Sequence, residues 1–314
     1  MKVVLHYAAG PGLAARLAAF ATQGLDITAC AESDDAGLLA ALREAEVLWH
    51  VLKPATAAVI AAAPQLRLIQ KIGTGLNTID LDAARARGIA VCNLPGSNAP
   101  AVAEMTLLLM LAALRRLPLL DHATREGRGW ALDAGLQDNF GELGGRTVGL
   151  VGYGAVPRAL APVLRALGCR LLYTARSRRP DALAEWRALP DLLAESDVVS
   201  LHLPLTAQTE RLIDADAIAR MRPGAVLVNT ARGGLVDQDA LTVALASGRL
   251  GAAGLDVFAE EPVAARTALL RLDNVVLAPH VAWLTGGTLD RSFALAAENC
   301  HRLASGRELL NRVV

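Results

Sequence analysis

Short apolar runs alternate with helical patterns along the whole chain, and this alternation restricts the fold more than any other sequence feature. A first series of predicted strands precedes residue 97, and a second series follows residue 145. Alternation of this kind is typical of parallel sheets covered by helices on both faces. The sequence therefore predicts an α/β protein with two Rossmann-like or flavodoxin-like lobes. The predicted strands are Val3–His6, Val47–Trp49, Leu66–Gln70, Ile89–Val91, Thr147–Val151, Arg170–Thr174, Val198–Leu201, Ala225–Asn229, Gly251–Leu255 and Val275–Ala278.

The chain length supports a division into two domains. At 314 residues it exceeds the size at which one hydrophobic core usually keeps growing. One long apolar helix, Ala101–Leu114, is predicted between the two series, and a last helix is predicted from about Gly286 to Ser305. We expect a small-molecule site in a cleft between the lobes.

Charge and hydropathy exclude several function classes. Lys plus Arg and Asp plus Glu each total 31, so the basic excess typical of nucleic-acid binders is missing. The longest apolar run, Met105–Leu114, is too short to span a bilayer, and Met1–Tyr7 lacks the apolar stretch of a signal peptide. The four cysteines form no CxxC pair, so no metal site is predicted. These features predict a cytoplasmic protein without a nucleic-acid or membrane partner.

A glycine-rich turn joins the predicted strand Thr147–Val151 to a helix. Gly152 permits a tight turn, and Gly154 lets the backbone approach a pyrophosphate at the positive end of the helix. The third position of this dinucleotide fingerprint is Pro157 instead of glycine; proline is acceptable in the first turn of a helix. The context of strand, turn and helix indicates a dinucleotide site.

The segment after the next strand indicates which dinucleotide is preferred. NAD sites usually carry an acidic residue here for the ribose 2′-hydroxyl, whereas this chain has Ala175 followed by Arg176, Ser177 and Arg178. A guanidinium pairs well with the oxygens of a 2′-phosphate. We therefore predict that NADP(H) is preferred, with NAD(H) as the alternative.

Three chemically active residues follow strands of the second series, at the sheet edge that carries the glycine turn. A guanidinium from Arg232 suits the carboxylate of a 2-oxo acid, and an imidazolium from His280 suits protonation of the carbonyl oxygen. A carboxylate from Glu261 would favour the charged imidazole. The set predicts hydride transfer to a 2-oxo acid, with the nicotinamide carrying the redox chemistry.

Several segments, in order along nearly the whole chain, resemble the D-2-hydroxyacid dehydrogenase family, the D-isomer-specific NAD(P)-dependent enzymes. Pro157 and Ala175 depart from the common NAD pattern, whereas the three catalytic candidates do not. The segments that carry the resemblance are Gly73–Asp80, Val102–Glu104, Gly152–Gly154, His202–Thr206, Asn229–Gly234, Asp256–Phe258, Glu260–Pro262 and Pro279–Trp283.

The resemblance implies a domain division and a catalytic trio. Residues 1–97 and 287–314 would form the substrate domain, and residues 98–286 the NAD(P)-binding domain. Arg232 would bind and polarise the substrate, Glu261 would support the histidine, and His280 would act as the acid and base. The helix from Ala101 would mediate a homodimer.

The resemblance also implies the residues that contact ligands. The backbone of the Gly73–Gly75 loop would meet the substrate carboxylate, and Asp256 would hold the nicotinamide carboxamide. The implied substrate-binding residues are Gly73, Thr74, Gly75, Arg232 and His280. The implied cofactor-binding residues are Thr74, Gly152, Gly154, Ala155, Val156, Arg176, Ser177, Arg178, Leu203, Pro204, Thr230, Ala231 and Asp256.

The substrate is less well specified by the sequence. Trp283 and the arginine-rich loop are similar to glyoxylate and hydroxypyruvate reductases, which favours a small 2-oxo acid. D-3-phosphoglycerate dehydrogenase is the alternative enzyme, although no room for an appended regulatory domain is expected. A dinucleotide-sensing corepressor is the alternative from another class. It would need a partner-peptide groove or interaction tails, and no such tail is evident in the sequence.

Overall fold

The computed structural model describes residues 1–314, apart from the side chains of residues 137–139. The chain divides into two compact units, and the first of them is made of two separate segments. Unit 1 comprises Met1–Asn98 and Thr285–Val314, and unit 2 comprises Ala99–Leu284. Both units contain a sheet in which all paired strands run parallel. The predicted fold class is confirmed, with one α/β unit inserted into the other.

Unit 1 has a five-stranded sheet in the order β2-β1-β3-β4-β5. This order is that of flavodoxin-like folds. The strands are β1 (Lys2–His6), β2 (Asp26–Cys30), β3 (Val47–His50), β4 (Leu68–Lys71) and β5 (Ala90–Cys92). The helices are α1 (Pro11–Ala18), α2 (Asp35–Leu42), α3 (Ala57–Ala61), α4 (Leu81–Ala86) and α11 (Gly286–Ser305), with a 3₁₀ helix over Ala19–Gln23.

Side-chain caps fix where several helices of unit 1 begin. Asp34, Thr56 and Asp80 each accept a hydrogen bond from a backbone N–H in the first turn of the helix that follows. The last helix, α11, packs on the sheet through Phe293, which stacks on the buried Trp49 with ring centroids 5.3 Å apart. These contacts explain why a segment so distant in sequence belongs to unit 1.

Unit 2 has a seven-stranded sheet in the order β12-β11-β10-β9-β6-β7-β8, which contains the Rossmann arrangement around β6. The strands are β6 (Thr147–Val151), β7 (Arg170–Thr174), β8 (Glu185–Trp186), β9 (Val198–Leu201), β10 (Val226–Asn229), β11 (Ala252–Leu255) and β12 (Val275–Leu277). The helices are α5 (Ala99–Leu114), α6 (Leu117–Arg125), α7 (Ala155–Ala166), α8 (Leu189–Glu195), α9 (Ala215–Arg220) and α10 (Gln238–Ala246). Shorter 3₁₀ helices span Ala134–Asn139, Gly233–Leu235 and Ala268–Arg271.

Helices cover both faces of the unit 2 sheet, so every residue of its central strands is buried. One core packs α8, α9 and α10 on the sheet, and the other packs α5 and α7 on the opposite face. The α5 helix lies especially close to β11, because a Cβ at Gly254 would come within 2.8 Å of the Leu109 Cβ. Among the described residues, no helix is both long and apolar enough to cross a membrane.

A buried histidine of unit 1 lies in a defined hydrogen-bond network at the end of β3. His50 Nε2 donates to the Lys53 carbonyl over 2.9 Å, so Nδ1 is left to accept from Lys71 Nζ at 3.4 Å. Burial, together with the positive charge of Lys71, lowers the pKa of His50 to about 3. The imidazole is therefore neutral at physiological pH, although an exposed histidine would titrate near pH 6.5.

The first prediction concerns acid stability. His50 binds a proton in the unfolded chain below about pH 6.5 but not in the folded one until about pH 3, so the free energy of unfolding must fall as pH decreases through that window. In His50→Gln, which keeps a donor and an acceptor, we expect the loss between pH 7 and pH 5 to be smaller by about 2 kcal/mol. Urea unfolding at pH 7 and at pH 5 measures the free energy of unfolding of both proteins.

The matched control is His122→Gln, since the His122 side chain is 67% exposed. This variant should lose as much stability on acidification as the wild type. Equal losses in His50→Gln and the wild type would contradict the prediction.

Candidate active site

The glycine turn of unit 2 has no room for a side chain at its first position. Gly152 directly follows β6 with φ +99°, and a Cβ there would lie 2.6 Å from the His202 carbonyl oxygen. The same contact brings Leu203 beside the turn, with its Cδ2 atom 3.1 Å from that Cβ position. The turn and the segment after β9 are therefore packed closely together.

The helix after this turn begins with an uncapped end. Gly154 is the N-cap of α7, no side chain accepts from its first turn, and that turn has no acidic residue. Space is open around Gly154, and Ala155 and Val156 are the first two helical residues. Pro157 follows at the third helical position, where a missing N–H costs no intrahelical hydrogen bond. This end of α7 suits an anion such as a pyrophosphate.

The arginine-rich loop after β7 is anchored at one end. The Tyr173 hydroxyl accepts from the Arg179 backbone N–H over 2.6 Å. Between them, the Arg178 guanidinium lies over the Trp186 ring, 4.6 Å from its centroid. Arg176 and Ser177 are exposed in the same loop. The loop thus presents positive charge beyond the carboxyl end of β7.

The segment after β10 is held in shape by two polar side chains. The Asn229 side chain accepts from the Ala231 N–H over 3.0 Å and donates to the Arg232 carbonyl over 2.9 Å. The Thr106 hydroxyl of α5 donates its proton to the Val102 carbonyl. It also lies 2.8 Å from the Thr230 hydroxyl, and because the Thr106 proton is already used, Thr230 is the donor in this second hydrogen bond. Thr230 therefore keeps its lone pairs for a ligand that donates.

Asp256 organises the turn that carries His280. It is fully buried; its two carboxylate oxygens accept from the Val281 and Ala282 N–H groups, each over 2.9 Å. Its carbonyl accepts from the His280 N–H over 2.7 Å, and Trp283 Nε1 donates to the His280 carbonyl over 3.1 Å. Burial raises the pKa of Asp256, and the two N–H bonds oppose that shift.

These bonds hold His280 in an unusual backbone conformation. Its φ is +56°, in the left-handed region that non-glycine residues rarely occupy. Surrounding hydrogen bonds must over-determine such a residue, and they tend to do so at functional sites.

His280 and Glu261 form a close hydrogen bond. His280 Nδ1 lies 2.6 Å from Glu261 Oε2, and Glu261 Oε1 accepts from the Phe258 N–H over 2.9 Å. Because the carboxylate accepts, Nδ1 carries the proton and Nε2 is the nitrogen available for exchange. Burial alone would raise the pKa of Glu261, but the His280 and Phe258 bonds and the Arg232 charge hold it below its usual value.

Arg232 approaches this pair because glycine follows it. A Cβ at Gly233 would lie 1.8 Å from the Phe258 carbonyl oxygen, so only glycine lets the segment after β10 pack on the segment after β11. Arg232 Nη1 donates to the Ala231 carbonyl over 2.6 Å. Burial lowers the pKa of the Arg232 guanidinium, and the Glu261 charge opposes this shift.

The residues of unit 2 fit a nicotinamide dinucleotide. They combine a close-packed glycine turn, an uncapped helix end and basic side chains at the carboxyl edge of one parallel sheet. The family model described as D-isomer specific 2-hydroxyacid dehydrogenase, NAD binding domain, matches residues 107–282. The chain belongs to the D-isomer specific 2-hydroxyacid dehydrogenase family. Its members are NAD-dependent oxidoreductases that act on 2-hydroxy acids.

Individual relatives agree with this family. The chain is 41% identical to a glyoxylate reductase from Aeropyrum pernix over 88% of this chain and 86% of that protein. It is 41% identical to a D-3-phosphoglycerate dehydrogenase from Mycobacterium bovis over 86% of this chain but only 51% of that protein. The crystal structure of the TT0316 protein from Thermus thermophilus superposes with a TM-score of 0.89 at 36% identity, over 100% of both chains.

The predicted substrate loop lies in unit 1, after β4. Gly73 has φ +144°, and its carbonyl accepts from the Leu94 N–H over 2.8 Å. The Thr74 hydroxyl donates to the Leu94 carbonyl over 3.3 Å, and Asn93 donates to the Thr74 carbonyl over 2.9 Å. Gly75 is partly exposed in the same loop. The roles of Gly73, Thr74 and Gly75 toward substrate stay predictions, as does the cofactor contact of Thr74.

Within unit 2, most predicted site residues follow strands at one sheet edge, and Glu261 interacts both with His280, through a hydrogen bond, and with the charge of Arg232. Leu203 lies against the glycine turn, and Pro204 accepts a hydrogen bond from the Thr209 hydroxyl over 2.7 Å. Sequence reasoning missed Thr106, because nothing in an apolar helix marks one threonine as a partner of Thr230. Sequence reasoning also missed the two hydrogen bonds by which the Asn229 side chain holds the segment after β10. A polar residue at the end of an apolar strand could have indicated them.

The second prediction tests the carboxylate that supports His280. In Glu261→Gln the partner of Nδ1 loses its charge, so the imidazolium form loses its nearest stabilising group. We expect kcat to fall about 100-fold, with little change in cofactor affinity. Steady-state kinetics and a fluorescence titration with reduced cofactor measure the two quantities.

Glu260→Gln is the matched control, because Glu260 is the exposed neighbour of Glu261 and makes no ion pair within the described part of the chain. It should keep near-native kcat. Similar kcat values for the two variants would show that Glu261 does not support the histidine.

Proposed function

We propose that this chain reduces a small 2-oxo acid, such as glyoxylate or hydroxypyruvate, to the corresponding 2-hydroxy acid, with NADPH preferred as the hydride donor. The observation that carries the proposal is the His280–Glu261 pair at 2.6 Å with the half-buried Arg232 beside it. The similarity to a glyoxylate reductase over most of both chains supports the choice of a small acid.

The proposed mechanism divides binding from proton transfer. Arg232 binds the substrate carboxylate and draws electron density from the adjacent carbonyl. When bound, the nicotinamide supplies the hydride that reduces the carbonyl carbon. His280 donates the proton from Nε2 to the carbonyl oxygen, which becomes the hydroxyl group. Glu261 stabilises the imidazolium before that transfer, and the imidazole is reprotonated from solvent afterwards.

Cofactor roles in the proposal follow the positions of the side chains. Gly152, Gly154, Ala155 and Val156 would hold the pyrophosphate at the start of α7. Leu203 and Pro204 would lie on the adenosine side, with Thr230, Ala231 and Asp256 near the nicotinamide. The Arg176–Arg178 loop would bind the 2′-phosphate, because stacking on Trp186 leaves the edge of the Arg178 guanidinium free to donate.

D-3-phosphoglycerate oxidation is the second candidate, favoured by the 41% identity to such an enzyme. The chain spans about half the length of that relative, so its activity is a weaker guide than that of the glyoxylate reductase. A dinucleotide-sensing corepressor is the candidate from another class, and it would bind cofactor with negligible turnover.

We also propose a homodimer formed through α5. Most of this helix is buried, yet Leu108 and Leu111 are 52% and 38% exposed on it, and Leu117 is exposed just beyond its end. Exposed leucines grouped in this way mark association surfaces. The four cysteines are free and buried, which supports a reducing, cytoplasmic location.

The third prediction tests the reaction. Glyoxylate, hydroxypyruvate and 3-phosphohydroxypyruvate are compared with NADPH as donor, and we expect the first two to be reduced most efficiently. In Arg232→Gln, loss of a charge-assisted pair should lower kcat/KM for them about 100-fold or more and leave NADPH binding intact. Arg266→Gln, which removes an exposed arginine of the same unit, should be near native.

The outcomes separate the candidate functions. Dominant activity on 3-phosphohydroxypyruvate would favour the second candidate, and NADPH binding without turnover of any acid would favour the corepressor. Near-native kcat/KM in Arg232→Gln would contradict the role of that residue.

The fourth prediction tests cofactor selectivity. In Arg178→Gln the 2′-phosphate would lose a cation, so KM for NADPH should rise about tenfold while KM for NADH stays the same. Arg165→Gln at the far end of α7 removes the same charge outside the loop and should change neither value. A wild-type preference for NADH would end this part of the proposal.

A further inference from the structure

Unit 2 contains a cavity at the sheet edge opposite the glycine turn. The cavity has a volume of about 270 Å³ and is lined by the end of α5 and by the first residues of β10 and β11. Since these strands are parallel, their amino ends share one edge and their carboxyl ends share the other. The cavity is therefore separated from the candidate active site by the length of the strands.

Two arginines line this cavity, and their guanidinium groups are largely unused. The side chain of Arg116 makes no hydrogen bond, and no ion pair within 4 Å, to any residue that the structure describes. It is partly buried, and the charge of Asp273 acts on its guanidinium group. Arg146 donates from Nε to the Glu142 carbonyl over 2.6 Å, which leaves both of its terminal nitrogens without a partner among those residues.

The backbone around the cavity makes room for these cations. Arg116 links α5 to α6 with φ +52°, a conformation that turns the chain sharply between the two helices. Gly141 faces Arg146, and a Cβ there would lie 2.7 Å from the Arg146 Nη2 atom. A side chain at this position would displace the guanidinium from where it lines the cavity.

Several other donors of the lining are already occupied. The Gly224 N–H donates to the Arg249 carbonyl over 3.0 Å, and the Gly251 N–H donates to the Ala225 carbonyl over 2.9 Å. The Asn274 amide nitrogen donates to the Leu245 carbonyl over 3.0 Å. Arg116 and Arg146 are the charged residues of the lining, so they are the groups best suited to recognise an anion there.

We propose that this cavity is a second ligand site, which binds the dianionic phosphate group of a small metabolite or of inorganic phosphate through Arg116 and Arg146. Two guanidinium groups match the charge of a phosphate dianion, and each of them can donate two parallel hydrogen bonds to its oxygens. The volume exceeds what the bare ion needs, so a small phosphate monoester also fits. The proposal does not depend on the function proposed for the active site.

The fifth prediction tests this site on the whole 314-residue chain in the presence of excess NADPH, which would fill the proposed cofactor site. Inorganic phosphate is titrated by calorimetry, and glycerol phosphate is titrated in parallel to separate the free ion from a monoester. In Arg116→Gln the dissociation constant should rise at least about tenfold. Because the Arg116 side chain makes no hydrogen bond to the described residues and a glutamine keeps the same backbone groups, this variant should fold normally, and circular dichroism checks it.

Two further variants complete the test. Arg115→Gln removes the exposed neighbour outside the cavity and should bind phosphate like the wild type. Arg232→Gln should also retain phosphate binding, so a failed catalytic assignment leaves this result unaffected. Equal affinities in Arg116→Gln and wild type, loss of binding in Arg232→Gln, or no wild-type binding below about 10 mM would overturn the proposal.

Discussion

The parallel hydrogen-bond ladder of the seven-stranded sheet is the constraint on which the rest of unit 2 depends. It places the carboxyl ends of β6, β9, β10 and β11 at one edge, in the order in which they pair. Each segment that leaves this edge then needs its own local support, because a loop alone has no preferred conformation. Asn229 supports the segment after β10, and Asp256 supports the turn of His280.

Asp256 shows how a buried charge is used here. Burying an ionised carboxylate is costly unless hydrogen bonds satisfy it, and two backbone N–H groups do so. These two hydrogen bonds also fix the turn that follows His280. They help to hold His280 at a positive φ, with its side chain hydrogen-bonded to Glu261. The sequence interpretation assigned Asp256 to the nicotinamide carboxamide; in the structure both oxygens already accept from the chain, and the carboxamide role stays a prediction.

The α/β fold and the pairing of Glu261 with His280 could be predicted from the sequence. Strands such as Thr147–Val151 are buried on both faces, so they appear as uninterrupted apolar runs. The polar residues after such runs must emerge at one edge, which brought together side chains distant along the chain. The short strands Glu185–Trp186 and Asp26–Cys30 were missed, because one has only two residues and the other is mostly exposed.

Other features required coordinates. The need for glycine at position 233 comes from the Phe258 carbonyl, 25 residues further along the chain, and no local pattern indicates such a contact. The cavity of Arg116 and Arg146 was not predictable from the sequence either. It is lined by residues from segments far apart along the chain, and no single segment indicates that the others lie beside it. Contacts between distant segments are set by packing, which propensity and periodicity do not encode.

The hydroxyl pair of Thr106 and Thr230 has a mechanical consequence. It is a buried bond between the inner face of α5 and the segment that leads to Arg232, while the leucines on the outer face of that helix remain uncovered. A contact with those leucines that tilted α5 would also stretch or rotate the hydrogen bond between Thr106 and Thr230. The position of α5 and the position of the segment that leads to Arg232 are therefore linked through one buried hydrogen bond.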